Sequence, residues 1–291
     1  MKTFSLWIAV AFLFSNSACA DGFDVFLRQR DKIVASADFN AAKHIGVSCK
    51  AEQLSGLTGS TQKSVRCLKL DFFAARMTAD VLHSLEGFRQ LETLMILRLN
   101  VQSGDVGSIL KAVPSLKALG FLQGSLAGLD WPEYEAQLRE VWLSASDLRS
   151  LPVNLVRSHS VEALTVSDSA LVELTLDLTG MPNLAEVSFT NCQVERVADS
   201  FRLPKSVEFL RLSFNQLSSV PDTIKTLERL RDLDLMGNRV AAVPDWLAEL
   251  WLTTPVEVNL SENQIRSIPD FVWENSGRIN LARNLFSTPE N

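Results

Sequence analysis

The leucines of this chain keep a period. Val207, Leu210, Leu212, Asn215, Leu217 and Val220-Pro221 recur as Leu230, Leu233, Leu235, Asn238, Val240 and Val243-Pro244. They recur again as Val258, Leu260, Asn263, Ile265 and Ile268-Pro269, then as Ile279, Leu281, Asn284 and Phe286. Looser copies keep the register toward the N-terminus. The positions equivalent to Asn215 are Phe73, Leu99, Gly124, Ser146, Ser169, Cys192, Asn215, Asn238, Asn263 and Asn284, spaced by 21 to 26 residues. A unit of this size is one strand with its return segment, which cannot bury an apolar face alone and must stack on the next unit. Of the 291 residues 44 are leucine and 46% are hydrophobic, which excludes a disordered chain. A net charge of −6 removes the basic footprint of a nucleic-acid binder.

Within each unit the alternation predicts a short strand: Leu210 and Leu212 point inward, Phe209, Arg211 and Ser213 outward. Asn215, Asn238, Asn263 and Asn284 stand where the chain leaves the strand, and an amide there offers both a donor and an acceptor to buried backbone. Cys192 occupies the same slot and reads as a structural thiol; Gly124, Ser146 and Ser169 are weaker fillers. Apolar-proline pairs open the return segments, and Asp222, Asp245 and Asp270 follow as expected caps of short helices or 3-10 turns.

This grammar resembles the leucine-rich repeat, L-x-x-L-x-L-x-x-N/C-x-L, in its general type of about 23 residues. The resemblance implies an α/β solenoid of about ten coils, curved like a horseshoe, with parallel strands on the concave face and short helices or turns on the convex one. The expected organisation is a signal peptide over 1–20, an N-terminal cap over 21–64 and the solenoid over 65–291. The leader has a positive start, the apolar stretch Phe4 to Phe14 and the cleavage pattern Ala18-Cys19-Ala20, too short to span a membrane. The chain is therefore expected to be secreted or periplasmic, with lipid anchoring at Cys19 as the alternative. In the cap, Asp21 opens a predicted helix carrying Phe23, Phe26, Leu27, Ile33 and Val34, with Arg28, Arg30 and Lys32 outward, and 53 to 63 reads as loop. A Cys49–Cys67 disulfide would staple cap to solenoid; two free thiols are the other reading. At the far end Ile279, Leu281 and Phe286 need cover, either from Leu285 and Pro289 or from an end-to-end homodimer.

No catalytic motif, phosphate loop or metal-ligand spacing is present, and His44, His83 and His159 are scattered. The sequence thus predicts neither enzyme nor cofactor, but a protein-binding module that works through its concave face. The outward row of that face reads Met95, Gly120, Trp142, Thr165, Ser188, Arg211, Asp234, Asn259 and Asn280. Phe209, Phe214 and Met236 suggest an apolar patch beside Arg211, and Asp232, Asp234, Glu257 and Glu262 an acidic cluster. Trp142, a large aromatic among small polar residues, supports the alternative of a glycan- or cell-surface-binding adhesin.

Overall fold

The computed structural model describes residues 45–57, 59–133 and 137–286. The leader, Cys19, the helix expected after Asp21, and Pro289 lie outside them. Among the described residues eleven parallel strands form one sheet, each hydrogen-bonded to the next coil's strand. They are β1 (Ile45–Lys50), β2 (Val65–Asp71), β3 (Thr93–Leu97), β4 (Ala118–Leu122), β5 (Glu140–Ser144), β6 (Ala163–Ser167), β8 (Glu186–Thr190), β10 (Phe209–Arg211), β11 (Asp232–Asp234), β12 (Glu257–Asn259) and β13 (Ile279–Asn280). Two short strands of the return segments, β7 (Glu173–Leu174) and β9 (Arg196–Val197), pair separately. Parallel neighbours require a crossover, and each coil supplies one.

The inward residues of every strand join a single elongated core. Leu94, Val141, Leu164, Val187, Leu210, Leu233 and Val258 meet return-segment residues such as Ile109, Leu155, Ile224, Leu227, Leu247 and Leu250. The return segments include helices at Ala79–Leu85, Asp105–Ala112, Trp246–Thr253 and Asp270–Glu274, and 3-10 turns at Leu155–Arg157 and Asp222–Thr226. The aspartates after proline do not cap: no side-chain cap hydrogen bond forms at the starts of the 222, 246 and 270 segments. Proline itself fixes the extended approach at Pro221 and Pro269, and Asp222 and Asp270 instead place negative charge in the first turn.

The N-terminal region departs most from expectation. Residues 45–50 are the edge strand of the sheet, and the stretch expected as loop contains a 3-10 turn at Ala51–Gly56 and a helix at Ser60–Ser64. Val47 and Cys49 alternate inward opposite Leu68 and Leu70. The expected Cys49–Cys67 bridge does not form, because Cys49 is a free thiol. Gly46, not Cys49, stands opposite Cys67, so the two cysteines are three positions out of register. That offset is roughly 10 Å along the strand, beyond the ~7 Å a disulfide can span between Cα atoms, and its odd parity sends the side chains to opposite faces. Cys49 faces the core, where burial pushes its thiol up to about 11.

The inter-coil ladder is regular from Asn215 onward. The Asn238 amide donates to the carbonyls of Leu212 and Leu235 at 2.9 and 3.0 Å and accepts from the Leu217 N–H at 3.0 Å. Asn215, Asn263 and Asn284 repeat the pattern on their own neighbours. Cys192 donates its thiol to the Val166 carbonyl at 3.8 Å and lies 3.0 Å from the Ser169 hydroxyl. Upstream the slot is filled differently. Leu99 only packs, while Gly124 is glycine because a Cβ there would sit 2.1 Å from the Leu99 carbonyl oxygen. Two slots read from the spacing are corrected. Ser146 is exposed and Ala145 is the buried residue; Phe73 is 54% exposed and Phe72 turns inward.

Just before the slot, Arg98, Gln123, Asp168, Asn191, Phe214, Gly237, Glu262 and Arg283 have left-handed backbone, with φ between 51° and 68°. In all but the last of these coils the N–H of that residue donates to a carbonyl of the next coil, as from Phe214 to Met236 at 2.7 Å. Asn238→Ala is expected to leave the Leu217 N–H without its acceptor and to remove one of two amide donors from each of the Leu212 and Leu235 carbonyls, which keep Asn215 and Asn263, and so to lower stability by about 1–3 kcal/mol. Cys192→Ala, which removes weaker thiol contacts, is expected to cost clearly less; urea denaturation of the two variants checks the order.

Candidate functional site

The strand register turns the outward side chains into rows. The middle row runs Lys69, Met95, Gly120, Trp142, Thr165, Ser188, Arg211, Asp234, Asn259 and Asn280. Asp234, Asn259 and Asn280 each accept the N–H two residues on, at 3.0–3.2 Å, which fixes their carboxylate or amide against the strand. The row at the strand starts runs Glu140, Ala163, Glu186, Phe209, Asp232 and Glu257.

This starting row is acidic from β5 to β12. Burial, followed by repulsion from Glu186 and Glu162, raises the Glu140 carboxyl above its ordinary range. Burial also raises Asp232; Arg211 opposes this, while Asp234, Glu257 and Glu186 add to it. Arg211 lies between the two halves of the stripe, 3.5 Å from Glu186 and with its guanidinium 5.8 Å from the Phe209 ring centre. Glu140 and Glu186 were not singled out from sequence. Their signal was available, since each stands two residues before a middle-row residue, but it needs the register of two non-adjacent strands.

A separate apolar group, Met95, Ala118 and Trp142 with half-buried Leu97 and Leu122, lies on the same face over β3–β5. A Cβ at Gly120 would meet Met95 Sδ at 2.7 Å and Trp142 Cε3 at 3.1 Å, so the glycine lets both side chains lie down on the sheet. At the first coils Asp71 accepts from Arg98 Nε at 2.8 Å, and Arg98 and Lys50 flank the Phe73 ring at 4.1 and 5.0 Å. Among the described residues no group of three or more His, Cys, Asp or Glu side chains is placed to hold a metal ion, and no helix is long and apolar enough to cross a membrane.

No family model matches the chain. It is 39% identical over 83 residues to Tsukushi of Mus musculus, covering 26% of this chain and 23% of that protein. It is 25% identical over 132 residues to the volume-regulated anion channel subunit LRRC8D of Rattus norvegicus, covering 44% of this chain and 15% of the subunit. The chain thus spans less than a quarter of the length of these relatives. In structure it superposes on a leucine-rich-repeat protein of Leptospira interrogans with a TM-score of 0.60 at 17% identity, over 85% of this chain and 66% of that one. The Drosophila Toll–Spatzle complex superposes at 0.53 and 17% identity, over 77% of this chain and 34% of the other. The chain has the fold of a leucine-rich-repeat solenoid.

On this repeat scaffold the residues singled out from sequence fall into three places. Phe209 opens β10 and Phe214 stands in the left-handed turn after it, so the two lie at opposite rims of the face. Phe214, 42% exposed, belongs with Met236 and lies over Gly237, where a Cβ would be 2.7 Å from the ring. Phe209 belongs instead with Arg211 and the acidic row. Asp232, Asp234 and Glu257 are neighbours across β11 and β12, but Glu262 is on the Phe214 rim and pairs with Arg283. Trp142 is 3% exposed. At the C-terminal end Leu285 and Phe286 are 49% and 37% exposed, and Pro289 lies outside the described residues.

Because Glu140 is raised in the folded state, its ionised form opposes folding. Stability from this group is present at low pH and lost as pH rises from the unfolded value through the folded one. Glu140→Gln is therefore expected to stabilise the protein at neutral pH, with the gain vanishing below about pH 4 where the wild-type carboxyl is protonated in both states. Thermal melts of both proteins across that range check the convergence.

Proposed function

We propose that this repeat protein is a non-enzymatic interaction module, secreted or periplasmic, that binds a protein partner through the C-terminal half of its open face, over β8–β12. The observation that carries the reading is the mixed chemistry gathered there. Phe209 sits within an acidic row of Glu186, Asp232 and Glu257 with Arg211 beside it, and exposed Phe214 and half-buried Met236 lie on the facing rim. Aromatic and arginine anchors ringed by charge are the composition of protein interfaces, and the stripe favours a partner that presents Lys and Arg. Toll, solved with Spatzle, and RP105, solved with MD-1, carry protein partners on the same fold at 17% and 14% identity. The glycan reading has no comparable support, because its aromatic platform, Trp142, is buried rather than presented.

The partner is to be captured on the full chain from its native compartment, where the intact mass of the recovered protein is expected to begin at Asp21. Phe214→Ala and Asp232→Ala are each expected to weaken binding of the captured protein by about tenfold or more. Leu252→Ala, 87% exposed on the helix of a return segment, is expected to leave it unchanged. Loss on Leu252→Ala with the two face variants binding normally would place the interface on the other side of the solenoid.

A further inference from the structure

At the end of the open face away from the acidic row, the first coils carry the opposite charge. Lys50 ends β1 opposite Asp71 of β2, half-buried Lys69 stands two residues before Asp71, and Arg98 follows β3. Phe73 stands among them, 54% exposed and at a left-handed φ of 50°. Its ring is flanked by the Arg98 guanidinium at 4.1 Å and the Lys50 ammonium at 5.0 Å. Asp71 sets this arrangement. It accepts from Arg98 Nε at 2.8 Å and from the Phe73 N–H at 3.1 Å, and it pairs with Arg98 Nη2. The guanidinium is thus fixed by one edge. Among the described residues its Nη1 makes no hydrogen bond, and Lys50 Nζ comes only within 3.8 Å of Glu52. The Asp71–Arg98 pair already ties the two coils together, and neither the exposed ring nor the second cation is needed for that tie.

We propose that this corner binds an acidic segment of a partner protein, its carboxylates paired with Arg98 Nη1 and Lys50 Nζ and an apolar side chain of the same segment against Phe73. An arginine already held by Asp71 loses little freedom on gaining a second carboxylate, and the open edge of its planar fork matches carboxylate geometry. The exposed ring favours a peptide over a bare phosphate or sulfate, which has no apolar surface to lay on it. Leu97, opposite Asp71 in the same row, and Leu122 beyond it continue that surface along the face. A nucleic-acid backbone or an anionic lipid surface rewards a long run of cations, whereas here two flank one ring. Seven strand spacings, roughly 34 Å, separate β2 from β11. The corner is therefore a second place on the face, opposite in charge to the first, and it does not depend on the partner reading of β8–β12.

The test is an array of blocked decapeptides, each with Asp and Glu placed around one Phe or Leu, beside copies in which Asn and Gln replace the acids. The full chain is expected to be retained on a subset of the acidic peptides over their neutral copies, and less so as salt rises. For a retained peptide, fluorescence anisotropy is expected to show binding weakened by about threefold or more in Lys50→Gln and in Phe73→Ala. Both variants spare the Asp71–Arg98 pair, so the test stands even where Arg98→Gln unfolds the first coils. Arg149→Gln, the same change of charge at an exposed position of a return segment, is expected to leave binding unchanged. So is Asp232→Ala, which touches only the partner site over β8–β12. An array with no preference for acid, or equal loss in Lys50→Gln and Arg149→Gln, overturns the proposal. Retention on phosphatidylserine vesicles or single-stranded RNA in place of the acidic peptides overturns it as well.

Discussion

Everything in this molecule rests on backbone hydrogen bonds made from one coil to the next. A single coil has no partner for its strand, so its N–H and C=O groups are satisfied only by its neighbours. Where the chain leaves the strand, ordinary pairing stops while burial continues, and a side chain must finish the ladder. Asn215, Asn238, Asn263 and Asn284 do this with one amide each, reaching carbonyls of two coils and an N–H of the coil before. Cys192 and Ser169 do it with smaller groups, and Gly124 by letting the preceding backbone approach. The solenoid is therefore stitched most tightly in its second half, which is also the half that carries the mixed charged and aromatic surface.

That coincidence has a physical basis. The acidic row places carboxylates on strands about 5 Å apart, and their mutual repulsion works against the sheet that holds them. Glu140 and Asp232 are raised above their ordinary range first by burial, and their acidic neighbours add to it. The asparagine ladder beneath β10–β13 supplies rigidity where the repulsion is densest, and Arg211 relieves it locally through Glu186 and Asp232. The N-terminal half carries less of this load: Glu140 on β5 is where the row begins, and Met95, Gly120 and Trp142 pack together across β3–β5.

The period of the leucines was enough to read the fold, because a 23-residue unit that alternates in its strand has one way to stack. The middle row of the open face followed from the same period. What did not follow were features that depend on an offset or on a third body. Cys49 and Cys67 read as a pair until the register put them on opposite faces of adjacent strands. Phe209 and Phe214 read as one patch, but one opens β10 and the other stands in the turn that leaves it. Phe73 and Ser146 lay one residue from where the spacing placed them, since the first coil and the Trp142 coil turn differently. Alternation gave the side to which Trp142 points, but no pattern within one strand reveals that its ring is buried against Met95 over Gly120.

The row of left-handed residues has a consequence for how such a chain can change. Glycine is the least strained choice for that backbone, yet seven of these eight coils place a side chain there: Arg98, Gln123, Asp168, Asn191, Phe214, Glu262 and Arg283. The conformation is imposed by the link to the next coil rather than by the residue that adopts it, so different side chains can stand there. The rim becomes a line of varied positions at fixed spacing beside the open face, and several of them reach the coil behind, Arg98 to Asp71, Asn191 to Asp168 and Arg283 to Glu262. A repeat protein with such a rim can alter what it recognises one coil at a time while its architecture stays constant.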